Sequence, residues 1–138
     1  MPFKAEHLLL IEVHAEQAAE LASLTPEALR ISELSDPAYT VAVNDRIVCC
    51  GGILPGERGA GVVWSYFSKK SAPHLKGVLA QMERMFEECN FHRIEATVKI
   101  DFSVGHRFIK RLGFKLISEK AEYLGLANEQ YLRYERVL

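Results

Sequence analysis

The sequence has few cysteines and no metal-ligand spacing, and both features exclude classes of protein. Three cysteines in 138 residues are an odd number, and Cys49 and Cys50 are adjacent, which is poor geometry for a disulfide. We therefore expect reduced, buried thiols, as in cytosolic proteins. The cysteines and the five histidines match no spacing typical of metal ligands, so no metal site is predicted.

Strong net charge and long apolar runs are also missing. The formal net charge is −1, which argues against a nucleic-acid partner held by bulk basicity. No apolar run approaches the roughly 20 residues that cross a bilayer, and the first residues do not read as a secretory signal. With 49% hydrophobic and 25% charged residues, the chain is expected to form a single domain over residues 1–138, in the cytoplasm and without a membrane partner.

The clearest pattern is a strand that passes directly into a short helix. Apolar and polar residues alternate from residue 93 to residue 100, which is the period of a strand. After Asp101 the apolar residues follow helical spacing, and Gly113 supplies the positive φ with which helices often end. This order places the N-terminal amides of that helix at the carboxyl end of a sheet, where α/β proteins bind anionic ligands.

Hydrophobic periodicity and turn residues predict the other elements. Strands are predicted over residues 7–13, 39–43, 47–54, 62–67, 93–100, 115–124 and 131–137, with a hairpin turn at Asn44-Asp45 and another near 125–128. Helices are predicted over 15–24, 27–33 and 73–89, and from Asp101 to Gly113. Residues 62–100 should form a right-handed parallel crossover. The predicted fold class is mixed α/β, with a mostly antiparallel sheet around a parallel β-α-β core.

The element order and the segment RIEATV…LGF, at residues 93–98 and 112–114, resemble the GNAT superfamily of acyl-CoA N-acyltransferases. The resemblance runs from about Thr40 to the last residue. DFSVGHRFIKRLGF at 101–114 and YLRYERV at 131–137 further resemble small GNAT-like proteins encoded by bacteriophages and prophages. The resemblance implies that the strands at 62–67 and 93–100 splay at their carboxyl ends and form the cofactor cleft.

The resemblance also implies acetyl-CoA as co-substrate, with its pantetheine arm in that cleft. The arm would pair with backbone groups of Tyr66, Phe67 and Ser68. The diphosphate would lie on the following loop and helix start, as the helix dipole favours. The residues implied there are Lys69, Lys70, Ser71, His74, Leu75 and Lys76, although paired lysines in a turn are as often simply solvated. Phe102, His106 and Arg107 would face the CoA arm, with a solvated face as the alternative for the last two.

Three positions, two in the diphosphate loop and one on the last helix, depart from the family pattern. Pro73 and Leu75 replace the small residues of the diphosphate loop, and proline has no N–H to donate. Ile109 stands where many members carry a tyrosine that protonates the leaving thiolate. Tyr66 or Tyr123 are the candidate replacements for that proton donor.

Two carboxylates have both a catalytic and a structural interpretation. Glu95 is a candidate general base, but an ion pair with Arg93 or Lys99 is the favoured alternative. Asp101 is a candidate for orienting a substrate amine, but its position favours a cap of the following helix.

The leading hypothesis is an N-acetyltransferase of phage or prophage type that acetylates a primary amine of an unidentified small molecule or protein. The alternative is a catalytically silent GNAT-fold protein that serves as a phage virion or assembly component, with virion proteins as partners. Pro73, Leu75 and Ile109 favour this alternative. The C-terminal strand is long enough to pair across a homodimer.

Overall fold

A computed structural model of the chain describes residues 1–117, 122–123 and 130–138, with side chains described for 1–117 and 131–138. The strands are β1 (Ala38–Val43), β2 (Arg46–Pro55), β3 (Gly61–Phe67), β4 (Arg93–Lys99), β5 (Lys115–Leu116), β6 (Glu122–Tyr123) and β7 (Gln130–Val137). The α-helices are α1 (Ala15–Ala22), α2 (Pro26–Ser32), α3 (Leu75–Glu88) and α4 (Ser103–Arg111). Short 3₁₀ helices cover Ala5–Leu9, Glu57–Gly59 and Ala72–His74. The hairpin predicted near 125–128 lies outside the described residues.

The strands form one mixed sheet in the order β1-β2-β3-β4-β7-β5, and β6 also pairs with β7. β3 and β4 are parallel and are connected by α3, whereas the other described pairs are antiparallel. This arrangement confirms the predicted fold class. The hairpin between β1 and β2 is also confirmed, because Asn44 and Asp45 have φ angles of 51° and 62°, as a two-residue type I′ turn requires.

Helices cover both faces of the sheet. On one face, α3 and α4 bury a large core that includes Phe67, Met82, Ile94 and Phe108. On the other face, a smaller cluster that includes Tyr66 packs against the first 3₁₀ helix, α1 and α2. A sheet buried between two helical layers leaves the ends and gaps of its strands as the accessible positions for a ligand.

The adjacent cysteines of β2 are packing residues, as expected. Cys49 and Cys50 are both 0% exposed. Burial raises the pKa of both thiols, that of Cys50 to about 11.

The prediction of a strand over residues 7–13 is wrong. Residues Ala5–Leu9 form a 3₁₀ helix, and only Val13 makes a bridge, to Ser68 at the end of β3. Leu8 and Ile11 are buried while Leu9 is 74% exposed, so burial follows a spacing of three residues and does not alternate. A continuous apolar run carries no periodicity, and tertiary packing decided its conformation.

The helix start predicted at Asp101 is also corrected. The N-cap residue of α4 is Phe102, and its side chain makes no capping hydrogen bond. Phe102 is 4% exposed, so burial of its ring fixes the start of the helix instead of a polar cap. The Asp101 carboxylate is exposed and lies 3.8 Å from the Lys99 ammonium. At the other end, Gly113 has φ of 81°, as predicted.

Two helical glycines offer a matched test of packing in this fold. A Cβ on Gly105 of α4 would lie 2.7 Å from Phe102 and 2.9 Å from Val98, whereas a Cβ on Gly77 of α3 would meet nothing within 4 Å. We expect Gly77→Ala to raise the free energy of unfolding by about 0.5–1 kcal/mol through helix propensity. Gly105→Ala is expected to lower it by about 1–2 kcal/mol, because overpacking outweighs that gain. Urea denaturation measures both, and a stabilised Gly105→Ala protein would contradict the packing described here.

Candidate active site

β3 and β4 separate soon after they begin. They pair only at Gly61 with Ile94 and at Val62 with Glu95. β3 remains paired with β2 as far as Phe67, and β4 remains paired with β7 as far as Lys99. Each strand therefore follows a different neighbour, and the two parallel strands are splayed at their carboxyl ends, as the family resemblance implied.

The splayed strands enclose a slot of about 250 Å³. Ser65 and Phe67 of β3 line one side, and Val98 of β4 lines the other. Phe108 of α4 and Gln17 of α1 close the slot from opposite faces of the sheet. For comparison, an apolar cavity of about 150 Å³ holds a benzene ring, so this slot can accept a narrow chain of atoms.

The backbone of β3 offers hydrogen-bonding groups to the slot. Ser68 N–H donates to the Val48 carbonyl on β2, so Ser68 and, by strand alternation, Tyr66 direct their backbone groups toward β2. Ser65 and Phe67 direct theirs toward the gap. Of the three residues predicted to pair with a pantetheine arm, Phe67 is the one whose backbone faces the slot, and Ser65 is a further one that the sequence analysis did not name.

Three of these gap-facing groups are bonded to Gln17 of α1 and to His14, the residue just before α1. The Gln17 side-chain amide donates to the Ser65 carbonyl and accepts from Phe67 N–H, each at 2.9 Å. His14 N–H donates to the Phe67 carbonyl at 3.2 Å. The Ser65 carbonyl and both backbone groups of Phe67, which β4 does not reach, are thus satisfied, as buried polar groups require.

A tyrosine and a glutamate lie at the α1 side of the slot. The Tyr66 hydroxyl donates to the Glu20 carboxylate at 3.3 Å, and both residues line the slot together with Glu16. Burial is the main reason that the pKa of the Tyr66 phenol lies well above its usual range, and the Glu20 carboxylate raises it further. Tyr66 therefore stays protonated at neutral pH, and its hydroxyl is a hydrogen-bond donor at this side of the slot.

Glu95 is engaged in ion pairs. Its carboxylate accepts hydrogen bonds from the guanidinium groups of Arg93 and Arg133, and Arg93 also bonds Glu135. Partial burial favours the neutral acid, but the two arginines outweigh it and lower the pKa of Glu95. Of the two roles considered for Glu95, the structure contains the ion pair, with the predicted Arg93 and with Arg133 as a further partner.

A second cavity of about 290 Å³ lies between the start of α3 and α4. Ser71, Leu75 and Arg107 line it together with Arg111, and Phe108 lines both this cavity and the slot. The structure thus brings three of the residues predicted for CoA binding together. Pro73 lies in the 3₁₀ helix before α3, where a missing N–H interrupts no helical bond of α3.

The other residues predicted for the diphosphate are placed elsewhere. Lys70 and His74 line a separate cavity of about 810 Å³ beside the β1–β2 hairpin, and Lys69 and Lys76 are exposed. The structure does not bring these four side chains into the cavity that contains Arg107.

Phe102 and His106 occupy different environments at the start of α4. Phe102 lines the slot, and its ring lies 5.6 Å from that of His14. His106 Nε2 lies 2.9 Å from the Lys99 carbonyl, which only accepts, so this nitrogen carries the proton and Nδ1 accepts from the Tyr134 hydroxyl at 2.7 Å. His106 therefore ties α4 to β4 and β7.

Neither the family position of the proton donor, Ile109, nor the other candidate, Tyr123, supplies a proton donor among the side chains that the structure describes. Ile109 is 5% exposed and lines the slot, so the family position carries an apolar side chain. Tyr123 lies in β6, and its side chain is outside the described residues.

Within the described part of the chain, no group of three or more histidine, cysteine, aspartate or glutamate side chains is arranged to hold a metal ion. Among those same residues, no helix has both the length and the hydrophobicity needed to cross a membrane.

The fold and its slot can be compared with known proteins. Neither a family model nor a curated protein sequence matches this chain. Solved structures do. The ribosomal-protein-S5-alanine acetyltransferase from Vibrio fischeri superposes with a TM-score of 0.65 at 17% identity, over 99% of this chain and 91% of that one. The acetyltransferase of the GNAT family from Streptococcus pneumoniae superposes with a TM-score of 0.67 at 12% identity, over 100% of this chain and 97% of that one. This chain has the GNAT fold.

A third structure of this fold was solved with a ligand. The yncA protein of Salmonella typhimurium, determined with its cofactor acetyl-CoA, superposes with a TM-score of 0.57 at 12% identity, over 68% of this chain and 60% of that one. At these identities the likeness concerns the GNAT fold, and the chemistry of this chain has to be argued from its own residues.

The α1 side of the site was not predicted from the sequence. Apolar spacing predicted a helix there, but the alanines at 18 and 19 are exposed and Gln17 is buried. Gln17, Leu21 and Leu24 are spaced i, i+4, i+7, which is the apolar stripe of a helix. A polar residue at one position of this apolar stripe was the signal from which a role for Gln17 could have been predicted.

Proposed function

We propose that this protein is an acetyl-CoA-dependent N-acetyltransferase whose thioester arm lies in the slot between β3 and β4. The observation that carries the proposal is the separation of these strands after two paired residues, which leaves the Ser65 carbonyl and Phe67 N–H on an edge that a secondary amide can bond. The acetyl-CoA in the Salmonella structure of the same fold supports it.

The two cavities suggest how the co-substrate lies. The arginines of α4, Arg107 and Arg111, are suited to the phosphates, because guanidinium groups bond phosphate oxygens strongly. From there the arm passes Phe108, which borders both cavities, and enters the slot. The residues predicted here for CoA binding that remain part of this proposal are Phe67, Ser71, Leu75, Phe102 and Arg107.

The chemistry requires a proton to leave the amine and a proton to reach the thiolate. A cationic amine first releases one proton to the solvent. The neutral amine nitrogen then attacks the thioester carbonyl carbon, a C–N bond forms and the C–S bond breaks. The neutral Tyr66 hydroxyl protonates the leaving thiolate, and Glu20 accepts the proton of the amine and returns it to Tyr66. The hydrogen bond between these two side chains provides the route for that transfer.

The acceptor we propose is a cationic primary amine. Glu16 and Glu20 line the α1 side of the slot, away from the arginines of α4, so negative charge stands where the amine would enter. Such charge raises the local concentration of a cationic substrate.

The finer assignment, to a phage or prophage protein acting in the host cytoplasm, rests on the segment at 101–114 and stays a prediction. The same holds for a homodimer formed through the last strand. For the alternative of a silent virion component, Ile109 lines the slot and Leu75 lines the second cavity, and both spaces stay open beside these two residues.

The test is titration of the purified protein with acetyl-CoA in a calorimeter, followed by mass spectrometry of a panel of primary amines and amino-terminal peptides. We expect one acetyl-CoA per chain at sub-millimolar affinity and acetylation of at least one cationic amine. The absence of binding at millimolar acetyl-CoA would contradict the proposal.

A further inference from the structure

The Gln17 carboxamide occupies the slot in an unusual way for a residue at the start of a surface helix. Its side chain is only 8% exposed. Nε2 donates to the Ser65 carbonyl and Oε1 accepts from Phe67 N–H, so both polar atoms are bonded to the open edge of β3.

This pair of hydrogen bonds reproduces a strand-to-strand contact. In a parallel sheet, one residue donates its N–H to the carbonyl before its partner and accepts from the N–H after it. The Gln17 carboxamide has this relation to Tyr66: it donates to the carbonyl of the residue before Tyr66 and accepts from the N–H of the residue after it. A single side-chain amide thus takes the place that β4 would occupy if the strands had not separated.

We infer that Gln17 is an internal competitor of the acyl-CoA arm and has to leave β3 before the arm can pair there. The inference rests on the proposed function and concerns how access to the same site is regulated. The pantetheine arm contains two secondary amides, and each has the donor and the acceptor that the Gln17 carboxamide uses. The arm and the Gln17 carboxamide cannot bond the same backbone groups at once. The apparent affinity for acetyl-CoA is therefore the intrinsic affinity multiplied by the fraction of molecules in which Gln17 has left β3.

The displacement requires only a side-chain rotation. The backbone around Gln17 is held separately, since His14 N–H bonds the Phe67 carbonyl and Lys69 N–H bonds the Glu12 carbonyl at 2.9 Å. α1 can therefore stay attached to the sheet while the carboxamide turns away. The competitor is the side chain, and the helix is its fixed support.

Three variants test the inference by calorimetric titration with acetyl-CoA. Gln17→Ala removes the competitor, and Gln17→Met keeps a long unbranched side chain but removes both hydrogen bonds, which protects the test if the alanine variant folds poorly. Gln81→Ala is the control, because it makes the same change on α3 at a residue that does not line the slot. We expect both Gln17 variants to bind acetyl-CoA about tenfold more tightly than the wild type, as the loss of two competing neutral hydrogen bonds implies. The control should bind like the wild type.

The outcomes separate the inference from the proposed function. Equal or weaker binding by both Gln17 variants, with binding by the wild type, would overturn the competitor role and leave the transferase intact. Tighter binding by the alanine variant alone would also overturn it, since bulk and not hydrogen bonding would then be the obstacle. No binding by any variant would overturn both. As a second readout, the Gln17 side-chain amide resonance, assigned by its loss in Gln17→Ala, should move to a solvent-exposed position when acetyl-CoA saturates the wild type.

Discussion

Replacing Ser65 by tryptophan is expected to lower kcat/KM for acetyl-CoA by about a hundredfold or more, because the reacting atoms can no longer reach their positions. Ser65 lines the slot between β3 and β4 and is half-buried. The slot of about 250 Å³ has room for an indole ring, so the tryptophan should fill it without unfolding the sheet. Steady-state kinetics with the preferred amine and a thermal melt measure the two effects.

Ser65→Ala is the matched control at the same position. The Ser65 carbonyl, which bonds Gln17, belongs to the backbone and is retained in both variants. The alanine variant should keep kcat/KM within about twofold of the wild type. A tryptophan variant that is folded and fully active would show that the co-substrate does not pass between these strands.

The second large effect is expected for Tyr66→Phe, which should lower kcat by about a hundredfold while the Kd for acetyl-CoA stays unchanged. The substitution removes one hydroxyl, which bonds Glu20 and supplies the proton in the proposed reaction. Because its pKa is raised well above the usual range, Tyr66 remains protonated up to high pH. The wild-type rate should therefore show no loss of this proton donor as the pH rises through neutrality.

Tyr39→Phe provides the control for that experiment. Tyr39 is also buried, at 4% exposed, and its hydroxyl lies 3.7 Å from the Cys49 sulfur, outside the slot. Tyr39→Phe removes the same hydroxyl from a comparably buried tyrosine that lies outside the slot, so kcat should not change. If Tyr66→Phe keeps the wild-type kcat, water protonates the thiolate and the role proposed for Tyr66 is wrong.

The central part of the fold could be predicted because local signals there agree with the tertiary structure. The alternation in β4, the helical spacing of α4 and the positive φ of Gly113 all point to the same arrangement. The type I′ turn at Asn44-Asp45 is another such case, because its backbone requires residues of this kind.

The segment 5–13 was harder to predict because its conformation depends on what it covers. Leu8 and Ile11 are buried at a spacing that the uniformly apolar run 8–11 does not reveal.

The start of α4 was predicted one residue too early. Asp101 is a good capping residue but does not cap the helix, because burial of the Phe102 ring stabilises the fold by more than the helix loses without a cap.

The site could be predicted on the strands but not on the helix above them. The resemblance pointed to the end of β3, and strand alternation then selects Phe67 and Ser65 as the residues whose backbone faces the gap. Gln17 and Glu20 reach the slot only because α1 packs across the sheet, and no local pattern in the sequence specifies that crossing.

The two inaccessible sulfurs of β2 bear on how turnover can be followed. Each catalytic cycle would release one CoA thiol, which aromatic disulfide reagents such as dithionitrobenzoate detect by colour. Such reagents attack exposed thiolates, and Cys49 and Cys50 are neither exposed nor readily ionised. In the native protein, colour arising from these two side chains should be negligible, so the partly exposed Cys89 is the cysteine whose background reaction a continuous photometric assay has to subtract.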